Sequence, residues 1–413
     1  MNIIIFDNDK STIFGKITHM INMGESIVPE AVRQYLLQVG EDITGIKTMQ
    51  YFGECNLDEP GRLIVVGHFG RQYETSFMKN SNVTPLFISF GWKDYYLTEE
   101  EVSYFKTNEP ILCRDEFTRN VMRQYGIEAY LFGCITLSLP GRLKKMHGNK
   151  YYFVDVAERF LKLVLDKILK DSVITSQNIM VDDMSDSVMY DSKKIALNRL
   201  KEYQEQAKMV ITSKLHCMTP CVAMGIPTIA VGDNFSYRYS YIDKFVESYS
   251  LEEFKNYNWK YISEYDELDK VKQLQIEIGR YIFQGEYNLD LINELDSLLM
   301  KRNRWNYLQK MHKDIECIVE NTPSKKVIIW GASSGGYTVS NCIKKDFPEL
   351  NIVEIVDTYA EGIFAGKIII RPEEAIRKHS DVPVIICTLS GMESAKKYLE
   401  ENNRCYYIVH ENM

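Results

Sequence analysis

Met209-Val-Ile-Thr-Ser-Lys-Leu-His-Cys-Met-Thr-Pro-Cys-Val-Ala-Met-Gly-Ile-Pro-Thr-Ile-Ala-Val-Gly232 decides the fold class. It reads as strand, polar turn, short helix, glycine stop and strand. Met209-Val210-Ile211 is an apolar, β-branched run of the kind buried in a parallel sheet. Thr212 and Ser213 bring hydroxyls able to cap a helix, and Lys214 brings a cation. Leu215 to Met224 is the predicted helix, with Pro220 placed in or near its first turn. Gly225 supplies the stop, and Pro227 keeps the helix from running on. A helix start offers backbone N–H groups and partial positive charge to phosphates and carboxylates. Lys214 and His216 stand at this one, a cation beside a group that exchanges protons near neutral pH.

The same strand–helix alternation extends in both directions. Toward the N-terminus, Met1-Asn-Ile-Ile-Ile-Phe6 reads as a strand, and Ile21-Asn-Met-Gly-Glu-Ser26 as a polar turn. A helix follows, with Val28, Val32, Tyr35, Leu36 and Val39 at helical spacing. Arg62 to Gly70, Thr84 to Gly91 and Glu109 to Asp115 are apolar strands, the first ending in two glycines. Strands alternating with helices predict a parallel α/β sheet, with ligands beyond the carboxyl ends of its strands. Gly67, His68, Trp92, Arg114 and Asp115 fall at such ends. A second lobe starts after the basic stretch 141–150, with strands Tyr151 to Asp155 and Ser172 to Thr175 and a long helix over Ser192 to Lys208. The expected architecture is α/β: a GT-B-like pair of Rossmann-like lobes over 1–145 and 146–265, then a helical connector over 266–322.

Residues 323–413 form a further small Rossmann-like α/β domain. Its first strand, Lys326 to Trp330, runs into Gly331-Ala-Ser-Ser-Gly-Gly336, and Asp357 lies about twenty residues beyond that turn, where an acid can meet a ribose hydroxyl. Gly331, Gly335, Gly336 and Asp357 are therefore candidate nucleotide-binding residues, although the pattern is Gly-x-x-x-Gly-Gly. A docking role for this domain is the alternative.

A formal net charge of −8 argues against a nucleic-acid binder, so an anionic substrate must be met by local cations. Nine cysteines without a CxxC pair point to reduced thiols and a cytoplasmic location. No run approaches the ~18 apolar residues of a membrane span. Cys217 and Cys221, one helical turn apart, read as small core residues and not as metal ligands. No metal and no cofactor are expected.

Residues from about 15 to 265 resemble the polysaccharide pyruvyl transferase family. Four features in order carry the resemblance: Asn22-Met-Gly-Glu25, similar to the family's Asn-x-Gly-Asp turn; Val66-Gly-His-Phe-Gly70; Cys113-Arg-Asp-Glu-Phe-Thr118, similar to Arg-Asp-x-x-Ser; and Ser213-Lys-Leu-His216 with Met224-Gly-Ile-Pro227, similar to Ser-Arg-Leu-His…Gly-x-Pro. The resemblance implies transfer of a pyruvyl group from phosphoenolpyruvate, the donor substrate, to sugar hydroxyls as a ketal. The setting it implies is bacterial capsule or exopolysaccharide synthesis.

By matched position, Arg114, Lys214 and His216 would contact the donor. Leu215, Asn22, Gly24, Gly67 and His68 complete the implied substrate-binding set. His216 is the candidate acid/base, with Glu25 and Asp115 as further candidates toward the acceptor. That acceptor is a sugar, free or lipid-linked, and peripheral membrane association is compatible with either. Lys214 departs from the family's arginine and gives up its planar two-pronged grip. A glycosyltransferase using a nucleotide sugar is the rival reading, since the two-lobed architecture serves both. A non-enzymatic subunit of a polysaccharide synthesis complex is the third.

Overall fold

A computed structural model of the chain describes residues 2–6, 20–49, 60–70, 76–94, 97–142, 148–180, 186–232, 235, 237–259, 265, 267–300, 306–388 and 391–409. The chain divides into two compact units: Met1–Lys93, Glu99–Gly232 and Tyr239–Arg304, and then Asp94–Thr98, Asp233–Arg238 and Trp305–Met413.

Two sheets organise the first unit. The N-terminal lobe is built on β1 (Asn2–Phe6), β3 (Lys47–Met49), β4 (Gly61–Phe69), β5 (Val83–Trp92), β6 (Ile111–Cys113) and β7 (Ala129–Leu131), in the order β3-β1-β4-β5-β6-β7. All neighbours are parallel. Strands covered on both faces need near-continuous apolar runs, and Leu63 to Val66 and Leu86 to Ile88 are accordingly buried. In the second lobe β8 (Lys150–Val154), β9 (Ser172–Thr175), β11 (Ala207–Thr212), β12 (Thr228–Val231) and β13 (Ser248–Tyr249) lie in the order β13-β12-β11-β8-β9, again all parallel. The stretch 209–232 thus supplies two adjacent central strands and the helix between them. Cys217 and Cys221 face a core of Tyr152, Val154, Tyr203, Val210 and Ile226, as their spacing predicts. The long helix runs over Asp186–Gln206, starting before the predicted Ser192. Residues 143–147 of the basic stretch lie outside the described residues.

One short ribbon carries the start of the first lobe's helix into the second lobe. β2 (Met20–Asn22) pairs antiparallel with β10 (Asn178–Met180). Helix Gly24–Val39 follows directly, and its first turn, through Met23 and Ile27, packs with Ala196 of the second lobe. Farther along, Tyr35 meets Phe132 edge-on, and Gln38 donates to the Ser138 carbonyl. A single helix therefore joins both lobes, with its N-terminus at the second.

The predicted connector divides. Helices Leu268–Gln284 and Leu289–Met300 belong to the first unit. They are fastened there by Arg62 to the Phe283 carbonyl, Gln275 to the Phe132 carbonyl and Arg119 to Asp296. Lys272 also donates to the Ala223 carbonyl, at the end of helix Leu215–Ala223, where the helix dipole favours a cation. Helix Asn306–Asn321 belongs instead to the second unit. Apolar stripes predict each helix but not its partner, because a stripe is satisfied by any apolar face.

That second unit contains β14 (Lys326–Trp330), β15 (Asn351–Val356), β16 (Ile363–Phe364), β17 (Lys367–Ile370), β18 (Val384–Ile386) and β19 (Tyr406–Ile408), in the order β16-β17-β15-β14-β18-β19. All pairs are parallel except the β16–β17 hairpin. The order of the five parallel strands, outward on both sides from β14, is that of a doubly wound Rossmann-like sheet.

Candidate active site

The Ser213–His216 turn is tied down by its hydroxyls, although neither acts as the helix cap that the sequence suggests. Thr212 Oγ1 accepts from the Lys214 N–H and donates to the Val154 carbonyl. Ser213 Oγ donates to the Asp155 carbonyl. Lys214 is the N-cap residue of helix Leu215–Ala223, and its side chain makes no capping bond. The helix start therefore carries no side-chain cap, Lys214 is exposed and Leu215 is buried. Pro220 lies in the second turn, not the first. Having no N–H, it removes the donor that the His216 carbonyl would meet in an unbroken helix. Gly225 adopts a left-handed φ of +72° and ends the helix as predicted.

The other helix start comes to the same place. Asn22 Oδ1 accepts from the Gly24 N–H, fixing the turn. A Cβ built on Gly24 would stand 2.6 Å from both Cβ and Cγ of His216. Only glycine lets the backbone of this turn lie against the imidazole. The Asn22–Glu25 and Ser213–His216 motifs, almost two hundred residues apart in sequence, are thus neighbours. Asp155 holds the seam. It adopts a positive φ of 51°, and its carboxylate accepts from Ser176 Oγ and the Gln177 N–H. The Gln177 carbonyl in turn accepts from the Met23 N–H.

Glu25 follows Gly24 in the first turn of its helix. Burial raises its pKa from the ordinary 4.5 to about 7, because removing water disfavours the charged carboxylate. A carboxylic acid so poised can accept or deliver a proton near neutrality. The shift also has a stability consequence. Between about pH 4.5 and 7 the unfolded chain ionises Glu25 while the folded chain holds its proton, so folding loses stability across that window and the cost is complete above it. Glu25→Gln is therefore expected to leave stability unchanged near pH 4 and to raise it by about 3 kcal/mol at pH 8, read from melting temperatures across pH. Equal effects at both pH values would exclude a buried, protonated Glu25.

Arg114 sits at the end of β6, 3% exposed, with its Nη2 3.6 Å from Asp115 Oδ2. The adjacent opposite charges are a buried pair and not a surface one. Asp115 is fully buried as the N-cap of helix Glu116–Gln124, where its Oδ1 accepts from the Thr118 N–H and Oγ1. Asp115 thus starts the helix through Oδ1, while its Oδ2 lies beside Arg114. Gly67 and His68 lie at the carboxyl end of a strand, as expected. Strand β4 runs through them to Phe69, with a register shift against β5 near Val66 and a Gly67 φ of +133°. His68 pairs across the ladder with Gly91, whose missing side chain leaves room for the imidazole.

In the second unit the glycine turn packs tightly. A Cβ on Gly336 would collide with the Gly331 carbonyl, and Ser333 caps the following helix, accepting from the Gly336 N–H. Asp357 Oδ2 accepts from the Ala332 N–H, while Oδ1 accepts from the Tyr359 and Ala360 N–H groups. The acid placed for a ribose is thus engaged in holding the turn itself. Gly335 lies buried in the first helical turn.

Among the described residues, no three His, Cys, Asp or Glu side chains stand together as a metal-ligand set. No described helix is long and apolar enough to cross a membrane.

Two Rossmann-like lobes, with two helix starts meeting at a histidine and a buried arginine at a strand end, define a two-lobed α/β protein. The polysaccharide pyruvyl transferase family model matches residues 22–234, more than half of the chain, and the chain belongs to that family. The family's name describes a transferase acting on a polysaccharide. No curated protein matches the chain. The matched span contains Asn22, Glu25, Arg114, Lys214 and His216.

Proposed function

We propose that the protein transfers the pyruvyl group of phosphoenolpyruvate to two hydroxyls of one sugar, forming a cyclic ketal and inorganic phosphate. The observation that carries this reading is the meeting of Gly24 and His216 at two helix starts, within the family match. Phosphoenolpyruvate carries a carboxylate and a phosphate. A helix N-terminus and separate cations suit such a ligand. Lys214 and Arg114 supply the cations.

The chemistry requires one sugar hydroxyl to add to C2 of the enol as the C3 methylene takes a proton. The C2–O bond to phosphate then breaks, the electron pair leaving with phosphate. A second hydroxyl closes the ketal at C2, and its proton goes to the departing phosphate. His216 is the acid/base for these transfers, and Glu25, protonated up to about pH 7, is the second proton-holding group. Asp115 serves by fixing Arg114. The acceptor is a sugar of a polysaccharide or of its lipid-linked precursor, with synthesis of a capsule or exopolysaccharide on the cytoplasmic side as the setting. No cofactor is required.

Calorimetric titration with phosphoenolpyruvate, UDP-sugars and CMP-sugars tests the reading, since a bound ligand also raises apparent stability. Binding of phosphoenolpyruvate alone is the expected result. Binding of a nucleotide sugar alone would replace it with glycosyl transfer, and binding of none would favour a non-enzymatic role. Within the same assay Lys214→Arg should retain affinity. Lys214→Ala should weaken it by about ten- to a hundredfold, the effect of losing one charge-assisted contact.

A further inference from the structure

Three consecutive residues just beyond the family match touch each of the elements that carry the proposed donor site. Tyr239 donates its hydroxyl to the Ser213 carbonyl at 2.7 Å, one residue before Lys214. Ser240 Oγ accepts from the Glu116 N–H at 2.9 Å, two residues after Arg114. The Tyr241 hydroxyl lies 3.0 Å from Thr219 Oγ1, on the helix that begins with Leu215 and His216. Ser240 is 3% exposed and Tyr241 is fully buried. Tyr241 also packs where a side chain on Gly133 would contact it, on the first lobe just after β7.

We infer that Tyr239-Ser240-Tyr241 is a positioning clasp that sets the distance between Arg114 of the first lobe and the Lys214–His216 turn of the second. The inference rests on the proposed donor site for its catalytic meaning, but not for its geometry. Two cations held on separate lobes can grip one small dianion only if their spacing is fixed, and misplacement of such groups by an ångström is costly. Ser240 supplies a side-chain partner for the Glu116 N–H, one of the free donors at a helix N-terminus. Tyr239 fixes the peptide from which Lys214 projects. Residues 239–241 thus add a tie between the two lobes beside that of helix Gly24–Val39, and theirs is made next to the two cations.

Hydrogen–deuterium exchange and steady-state kinetics on the full chain test the clasp together. Tyr239→Phe is expected to speed exchange over residues 213–218, and Ser240→Ala over residues 115–118, with the remaining chain unchanged. Each should raise KM for phosphoenolpyruvate about five- to tenfold, the effect of one hydrogen bond, and leave kcat within about twofold of wild type. Ser240→Thr, which keeps the hydroxyl, should restore both readouts. Unchanged local exchange in both variants would overturn the clasp. So would loosening spread evenly over the first unit with kcat and KM affected alike, the behaviour of a merely structural defect. Failure of wild type to bind phosphoenolpyruvate would overturn the donor assignment instead, and the exchange measurements would still decide the clasp. Should Ser240→Ala not fold, Tyr239→Phe tests the same geometry from the other lobe.

Discussion

His216→Ala is expected to lower kcat by two to four orders of magnitude while leaving phosphoenolpyruvate binding within severalfold of wild type. The size follows from the loss of a positioned acid/base, whose contribution typically lies in that range. The separation of binding from turnover follows from the geometry. Lys214, Arg114 and the start of helix Leu215–Ala223 remain in place when the imidazole is removed. The Gly24 turn keeps its bonds to Asn22 Oδ1 and the Gln177 carbonyl. Rapid-quench measurement of phosphate release with a sugar acceptor, beside calorimetric titration of the donor, reads both quantities. Unaltered turnover would remove His216 from the chemistry. A loss of binding as large as the loss of turnover would make it a donor ligand only. Residual activity in the variant should follow the ionisation of Glu25, falling above about pH 7 if Glu25 must be protonated.

The largest effect on stability is expected at Asp296, which lies outside the sequence motifs. Its carboxylate accepts from Arg119 Nε at 2.6 Å and Nη2 at 2.7 Å, and from the Leu131 N–H. It is 6% exposed. Removing one member of such a buried pair leaves the other charge largely uncompensated, which costs about 3–5 kcal/mol. Against a typical domain stability of about 5–15 kcal/mol, Asp296→Ala should bring the first unit close to unfolding at 37 °C. The urea midpoint of the wild type and variant measures this, with Asp296→Asn intermediate because it retains an acceptor for the Leu131 N–H. A change below about 1 kcal/mol would show that Arg119 finds another partner. The consequence reaches the site, because Arg119 lies in helix Glu116–Gln124, whose cap is Asp115 beside Arg114.

Much of this was legible in the residues. Runs such as Met209-Val-Ile and Leu63-Ile-Val-Val announce strands covered on both faces, and Gly225 with Pro227 announces where the intervening helix stops. The Ser213–His216 and Asn22–Glu25 motifs could be matched to a family because their spacing and order are local properties of the chain. The roles of single side chains were less legible. Asp115 does not announce in the sequence that its Oδ1 caps a helix. Nor does Asp357 announce that its oxygens accept from three backbone N–H groups. Both are acids at strand ends, and sequence position alone does not say which donors fold back onto them.

The sequence by itself determined the parallel α/β class, the helix start bearing Lys214 and His216, the family, and the extra Rossmann-like segment. Only the tertiary structure decided that Gly24 lies against His216 and that Glu25 is buried enough to hold a proton near pH 7. It alone also revealed that Tyr239, Ser240 and Tyr241 reach both halves of the site. The reason is physical. Strand and helix signals arise from neighbours along the chain, whereas desolvation and long-range hydrogen bonds depend on which surfaces fold together.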